Sequence, residues 1–447
     1  MSKSGGQLGR SAIVVGAGIG GLAAAAALAG KFGTVTMLDR DSLPEGASWR
    51  MGAGQGAHVH QLLKAGEQSL ERLLPGITED FYRAGAVDMR VGRDVKVFDF
   101  GGWMDECDVG FSVTSLSRPA YESILRRRVA ALPGVTIRGE TDVRRFTVEG
   151  GRCTGVELSD GMVLTADLVV DSSGMTGPLM RQLVEDGHAE YESEHIRINV
   201  AYTTARFRKP EKYRDEKIGF FFLPAPPEKH FGFILPIEND EWIISLGTRG
   251  HDAPPRDVAA LKEYASKLPD PAVYDRIKDA EAVSELKTFR KGTATRRKIW
   301  EAPKWPKRLL PAGDALSSVN PTYGQGMTVT ACAADALSGL LSKRAETGAG
   351  LDGLEKEYLT AAAAFAARAW GLSVNSDYVY PETEGERPSN FAMSRAVAAT
   401  LRKLADEDMD FRVLRYRLVH MVDPDNVLSE GPLAIRFFTA LQGSMAS

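Results

Sequence analysis

Gly16-Ala17-Gly18-Ile19-Gly20-Gly21 stands between a β-branched run at 11–15 and an alanine-rich stretch at 19–30, so a GxGxxG cluster falls where a strand ends and a helix begins. Glycines at that spacing suit one kind of chemistry. Gly16 permits a tight turn, Gly18 lets backbone approach a pyrophosphate, and Gly21 lets the helix pack closely on the strand. The phosphates then meet the unpaired amides and the positive dipole end of the helix. Asp39 closes the next apolar run, 34–38, and lies 23 residues after Gly16. Its carboxylate can accept hydrogen bonds from both hydroxyls of an adenosine ribose, which disfavours a 2′-phosphate. This unit predicts an adenine-dinucleotide site and leaves NAD and FAD both open.

A second cluster decides between them. Gly313-Asp314-Ala315, followed by Pro321-Thr322-Tyr323-Gly324-Gln325-Gly326-Met327 and an alanine-rich helix, resembles the second FAD fingerprint of the para-hydroxybenzoate hydroxylase-like flavoproteins. The resemblance implies that Asp314 holds a ribityl hydroxyl, Pro321 fixes the chain beside the ring, and Gly324 and Gly326 bring backbone against the isoalloxazine. A helix starting near Met327 aims its amides at the flavin N1 and C2 carbonyl, where a reduced flavin carries negative charge. The stretch 166–174, ending Asp171-Ser172-Ser173-Gly174, resembles the Asp-Gly motif of the same family, with Met175 in the place often held by arginine. Arg118, in Ser117-Arg118-Pro119-Ala120-Tyr121-Glu122, matches the family arginine that contacts phosphates or ribityl chain, and Val143 sits where backbone groups hold adenine. Arg40, next to Asp39, joins the same cofactor set.

The segment from Arg50 to Leu63 resembles the arginine, glutamine and His-x-His segment of bacterial flavin epoxidases and hydroxylases related to squalene epoxidase, and 233–247 supports the same branch. The resemblance, over about residues 10–340, implies a monooxygenase that inserts one atom of O2 by epoxidation or hydroxylation through a flavin C4a-hydroperoxide. Such transfer needs no protein nucleophile, and no triad or acid/base pair is present, so no catalytic side chain is named. One nucleotide fingerprint without a second GxGxxG or a CxxC implies reduction by transiently bound NAD(P)H or by a partner reductase. A double-bond reductase or dehydrogenase of the same fold is the alternative. So is a halogenase-like enzyme, although the Trp-x-Trp-x-Ile-Pro segment of halogenases has no match and the Leu-Pro-Ile here follows Phe231-Gly232-Phe233-Ile234. His58 and His60, at i and i+2 without a third ligand nearby, predict no metal site.

These residues must be held by a mixed architecture. The expected fold is α/β: a Rossmann-type FAD-binding domain with a parallel sheet at 1–190 and 285–345, an inserted antiparallel substrate-binding sheet at 191–284, and C-terminal helices at 346–447. A helix at 116–132, strand-like pieces at 135–138, 143–148 and 153–158, and a buried strand at 168–170 complete the first part. Runs at 196–206, 217–223, 231–237 and 241–247, separated by turns at 224–227 and 238–240, predict four antiparallel strands. Phe220, Phe222 and Phe233 on two of them are the expected lining of a pocket for an apolar, unsaturated or aromatic small molecule.

Composition is that of an ordinary globular protein, with 26% charged residues and a net charge of −4, and it carries no nucleic-acid footprint. Cys107, Cys153 and Cys332 are odd in number and far apart, which argues against a disulfide framework and fits a reducing cytoplasm. Glycines interrupt the first apolar stretch, so it predicts neither a signal segment nor a membrane span.

Overall fold

The computed structural model describes residues 6–446 apart from 100, 176, 224 and 251; of the 224–227 turn, Pro224 therefore lies outside the described residues. Five parallel strands form the first sheet, in the order Leu309–Pro311, Leu168–Asp171, Gly9–Val15, Phe32–Leu38, Val135–Arg138. Their near-continuous apolar character follows from cover on both faces. The helix Ile19–Leu28 is buried along almost its whole length, its alanines lying against the sheet and against the helix Gly326–Thr347. The predicted strands after 135 appear as Val143–Glu149 and Arg152–Leu158, joined by Val163–Thr165 in a three-stranded antiparallel meander. The predicted helix at 116–132 runs from Arg118 to Ala130, with Ser117 as its cap and Pro119 in its first turn, where a missing N–H costs nothing.

The second layer is larger than expected. Ser193–Arg208, Gly219–Phe222, His230–Ile237 and Glu241–Arg249 pair as predicted, but Lys287–Arg297 joins on one side and Val95–Asp99 with Gly102–Trp103 on the other. The antiparallel sheet thus recruits chain from both segments assigned to the nucleotide domain, and the boundaries at 190 and 285 do not coincide with the layers. The C-terminal helices pack on both layers. The helix Leu354–Asp377 buries Leu354, Tyr358 and Ala362 in the core of the parallel sheet, then Trp370 and Val374 against Ile196, Ile198 and Val200 of the antiparallel one. Helices Phe391–Glu407, Met409–Val419 and Ala434–Ala446 share a smaller core around Phe411 and Leu414. Cys107, Cys153 and Cys332 are buried free thiols. Among the described residues no helix is long and apolar enough to cross a membrane, and no group of three or more His, Cys, Asp or Glu could hold a metal.

Two buried histidines fasten the segment between the layers. His58 shares a 2.6 Å hydrogen bond with Thr204, which bonds in turn to Ser245, so the 58–63 segment is pinned to the antiparallel sheet. His420 accepts from the Lys64 amide, pinning the same segment to the C-terminal helices. Burial holds His58 neutral, its pKa pushed down to about 4, and His420 likewise, to about 3. Below pH 6.5 the unfolded chain binds protons that the folded chain refuses, so stability falls with pH from about 6.5 toward 4, by at most about 1.4 kcal/mol per pH unit per histidine. Urea unfolding at pH 7.5 and pH 5 measures this. A His58→Asn, His420→Asn double variant is expected to lose less stability between those two pH values than the parent; an unchanged difference would show that the acid loss arises elsewhere.

Candidate functional site

The turn after the first strand is built from contacts that exclude side chains. Gly16 has φ +97°, and a Cβ there would sit 2.3 Å from the Ser172 carbonyl oxygen; one at Gly21 would sit 1.8 Å from the Gly16 oxygen. Gly18 differs. It caps the helix Ile19–Leu28 without a side-chain hydrogen bond, in an ordinary extended conformation, and a Cβ there would meet only Arg50 Nη2 at 3.7 Å. The fold has no need of a glycine at 18. Gln325 likewise opens the helix Gly326–Thr347 without a side-chain cap, and Gly326 has nothing within 4 Å of its notional Cβ. Two helix N-termini with free amides therefore face one cleft, a ready seat for negative charge.

That cleft holds about 1580 Å³ of empty space, part of it open to solvent. Gly16, Gly18, Ile19, Gly20, Asp39, Arg40, Arg50, Arg118, Val143, Gly174, Gly313, Asp314, Pro321, Gly324, Gly326 and Met327 all line it, so residues from both ends of the chain meet as one wall. Ala17, Gly21 and Asp171 stand behind that wall. Ala17 donates its amide to Asp39 Oδ2 at 2.6 Å, and Asp171 accepts from the Ser173 amide while burial raises its pKa. Asp39 is more occupied than a free ribose acceptor: Arg50 Nη1 reaches both of its oxygens at 3.2 Å, and Oδ1 also accepts from the Asp41 amide. Arg50 further pairs with Asp41 at 3.0 Å and with Glu122 at 2.6 Å.

Arg118 begins its helix, whose cap Ser117 is held through both amide and hydroxyl by Glu238, from the turn between the strands His230–Ile237 and Glu241–Arg249. Its Nε lies 3.5 Å from Glu122 and has no closer acceptor, and burial lowers the pKa of the guanidinium. A buried guanidinium with an unfilled donor in a cleft is suited to a phosphate. Where the family often places arginine, Met175 lies half exposed, and a guanidinium arrives from elsewhere. Arg297, on the strand Lys287–Arg297, donates to the carbonyls of Met175, Asp314 and Ala315 and so bridges the Asp-Gly motif to the second fingerprint.

The second fingerprint is fastened from behind. Asn320 folds back onto the Thr322 amide and hydroxyl. Asn320 and Tyr323 both donate to Asp377 Oδ1 at 2.8 Å, and Arg249 pairs with the same oxygen at 2.7 Å while donating to the Tyr323 hydroxyl.

Of the expected pocket residues, only Phe233 faces the cleft side of its sheet. It packs with Phe231 and Tyr202, and Val59, Phe221, Leu223 and Phe289 close around them. Tyr202 and Val59 belong both to that cluster and to the cleft wall. Phe220 and Phe222 point the other way, into a core with Ile234, Leu246, Leu261 and Val273, where both meet Trp103 edge to face and Phe222 stacks on Phe98. Side chains alternate along a strand, so Phe221, which pairs with Phe233, takes the place expected of its neighbours. Reasoning from sequence also missed Tyr202, Gln61, Lys291 and Ser318 in the cleft wall. Gln61 belongs to the Arg50–Leu63 segment and could have been found there. Lys291 carries no local signal. His60 lines the cleft too, neutral, its pKa pushed down to about 3 by burial and by the Arg118 charge.

The FAD-binding domain family model matches residues 10–372. Protein Rv3254 of Mycobacterium tuberculosis (strain ATCC 25618 / H37Rv) is 30% identical over 354 residues, which cover 74% of this chain and 73% of that protein. Among solved structures, 2-methyl-3-hydroxypyridine-5-carboxylic acid oxygenase superposes with a TM-score of 0.58 at 18% identity, covering 90% of this chain and 93% of its own. Flavin-dependent brominase Bmp2 superposes with a TM-score of 0.64 at 15% identity, covering 98% and 99%. At such identities these two likenesses show the fold alone. Matched over most of its length, the chain belongs to the FAD-binding domain family and is an FAD-dependent oxidoreductase.

Proposed function

We propose that this protein is a monooxygenase which inserts one atom of O2 into a largely apolar, unsaturated or aromatic small molecule, with electrons from NAD(P)H directly or through a partner reductase. The carrying observation is that Tyr202 and Val59 are at once wall of the glycine-rich cleft and edge of the aromatic cluster around Phe233. FAD supplies the reduction of O2 and the oxygen transfer; the chain supplies position and surroundings. In this reading the amides after Gly18, with Arg118, hold the phosphates, Asp39 and Val143 border the adenosine end, and Asp314 holds the ribityl chain. Pro321, Gly324, Gly326 and Met327 lie against the ring. Phe233, Phe221 and Tyr202 keep water from the reacting atoms and present an apolar face to the substrate. The three buried thiols and the absence of a membrane-crossing helix among the described residues support a cytoplasmic location.

Aerobic incubation under ¹⁸O2 with NAD(P)H and a panel of aromatic and polyunsaturated compounds tests the reaction. One labelled oxygen atom per product is expected, whereas unlabelled product formed equally well without oxygen would mark a reductase or dehydrogenase. The cofactor assignment is tested at Gly18. Because a Cβ there meets only Arg50 Nη2, at the ordinary contact distance of 3.7 Å, Gly18→Leu is expected to fold with near-parental thermal stability and to be purified without FAD. Gly21→Ala, which meets backbone, should instead lose about 3 kcal/mol of stability. Retention of FAD by Gly18→Leu would place the phosphates elsewhere. On the substrate side, Phe233→Ala is expected to raise the hydrogen peroxide released per oxygen consumed in the presence of the accepted compound. Phe220→Ala should leave that ratio unchanged while costing about 3–5 kcal/mol of stability as a core truncation. Equal uncoupling by both would show that the aromatic wall acts through general loosening and not by facing the ring.

A further inference from the structure

Lys291 is buried, 6% exposed, and lines the cleft. It sits in the middle of the strand Lys287–Arg297, opposite Val200, where the register of the neighbouring strand shifts between Arg197 and Val200 and Asn199 takes φ +43°. Such bulges re-aim side chains, and this one lies beside the cleft. The Lys291 ammonium donates to Ser318 Oγ and lies 3.2 Å from the Met175 sulfur. An ammonium has three donors, and a thioether is a weak acceptor. Among the described residues Lys291 forms no ion pair with a carboxylate; Asp314 attracts its charge from farther off, Arg297 repels it, and burial lowers its pKa.

A buried cation without a carboxylate partner is costly unless another negative group completes its surroundings. The cleft offers two places for one. The end bounded by Gly18 and Arg118 has its own amides and guanidinium for phosphate. Lys291 lies instead with Ser318, which stands between the two halves of the second fingerprint, 313–315 and 321–327, and two residues along its strand from Phe289, which packs on Tyr202 of the aromatic wall. A negative charge at that end arises when the flavin accepts two electrons.

We propose that Lys291 is the cation that stabilises the negative charge of the reduced isoalloxazine, and so sets how strongly the protein favours reduced over oxidised FAD. A positive charge in a low-dielectric site favours a nearby anion, and charge near the ring tunes flavin electronics. The inference rests on the reading that FAD occupies this cleft.

Parent, Lys291→Met, Lys291→Gln and Lys291→Arg are depleted of FAD and titrated with oxidised FAD, and the flavin midpoint potentials of the FAD-loaded proteins are measured by anaerobic reduction against a reference dye. Both neutral variants should bind oxidised FAD much as the parent does. They should lose about tenfold in preference for reduced FAD, a fall of about 30 mV for a two-electron couple, and Lys291→Arg should restore most of it. Lys291→Gln keeps a donor for Ser318 and removes only the charge, so it decides the matter if Lys291→Met does not fold. An unchanged potential overturns the proposal, whether or not thermal stability falls, since a merely structural lysine would move stability alone. Equal weakening of oxidised and reduced FAD overturns it as well, placing the ammonium at the phosphates. A potential that shifts only when an anionic substrate is added would assign Lys291 to a substrate carboxylate instead. None of these outcomes disturbs the cofactor assignment, which stands or falls with Gly18→Leu.

Discussion

Backbone passes against backbone where the first strand turns into the first helix, and no side chain fits in the gap. The Gly16 and Gly21 contacts seat the helix Ile19–Leu28 directly on the ends of the strands Gly9–Val15 and Leu168–Asp171. Gly20 extends the same contact sideways, since a Cβ there would lie 2.7 Å from Ser172 Oγ and 2.9 Å from Thr330 Cγ2. Thr330 belongs to the helix Gly326–Thr347, so the missing side chain lets the two uncapped helix N-termini approach each other at the rim of one cleft. Both helices direct amides into the same space because three glycines leave room for it. Asp39, donated to by Ala17 from inside the turn, then fixes Arg50, and Arg50 ties the turn to the helix Arg118–Ala130 through Glu122.

The far side of the cleft is held by charge and not by close approach. Arg249, Asp377, Tyr323 and Asn320 join three distant parts of the chain: a strand of the antiparallel sheet, the long C-terminal helix and the loop before Gly324. Removing one partner from a buried ion pair costs about 3–5 kcal/mol, although replacing both by apolar groups is often neutral. Stability alone therefore does not account for a polar seam at this place. What it provides is direction, because three donors converging on one carboxylate oxygen fix the loop in a single orientation, which apolar packing does less well. The loop holding Pro321 and Gly324 is thus set by the tail of the chain, which explains why the helix Leu354–Asp377 is built into both layers and not appended to one.

What could be read from sequence was what is local. The glycine turn, its strand and helix, the acid at 39 and the second fingerprint are each contained in a few dozen residues, and the structure brings them to one cleft as expected. What failed was non-local. Val95–Asp99 and Lys287–Arg297 join the antiparallel sheet through partners more than 80 residues away, and nothing in their own composition separates them from strands of the nucleotide domain. The phenylalanines at 220 and 222 failed for a different reason. Period-two alternation was visible in sequence, but its phase was not; that phase is set by Trp103 and by the helices Val258–Ala265 and Ala272–Ile277, which cover one face of the sheet and leave Phe221 and Phe233 to the other.

Arg297 shows how far a motif can drift while its chemistry stays in place. An arginine following the Asp-Gly motif would be held near the second fingerprint by the course of its own strand. Here that position carries Met175, and the guanidinium comes instead from a strand of the other layer, reaching the carbonyls of Met175, Asp314 and Ala315. Carbonyl oxygens gathered at the joint of two loops need donors, and a guanidinium can satisfy three at once from any direction that brings its fork into their plane. The requirement belongs to the place and not to the sequence position. The same substitution leaves a thioether 3.2 Å from the Lys291 ammonium where a second cation would have stood, so Arg297 repels that ammonium only from farther off. One change in the motif thus relocates a structural cation and leaves the buried one facing the open space.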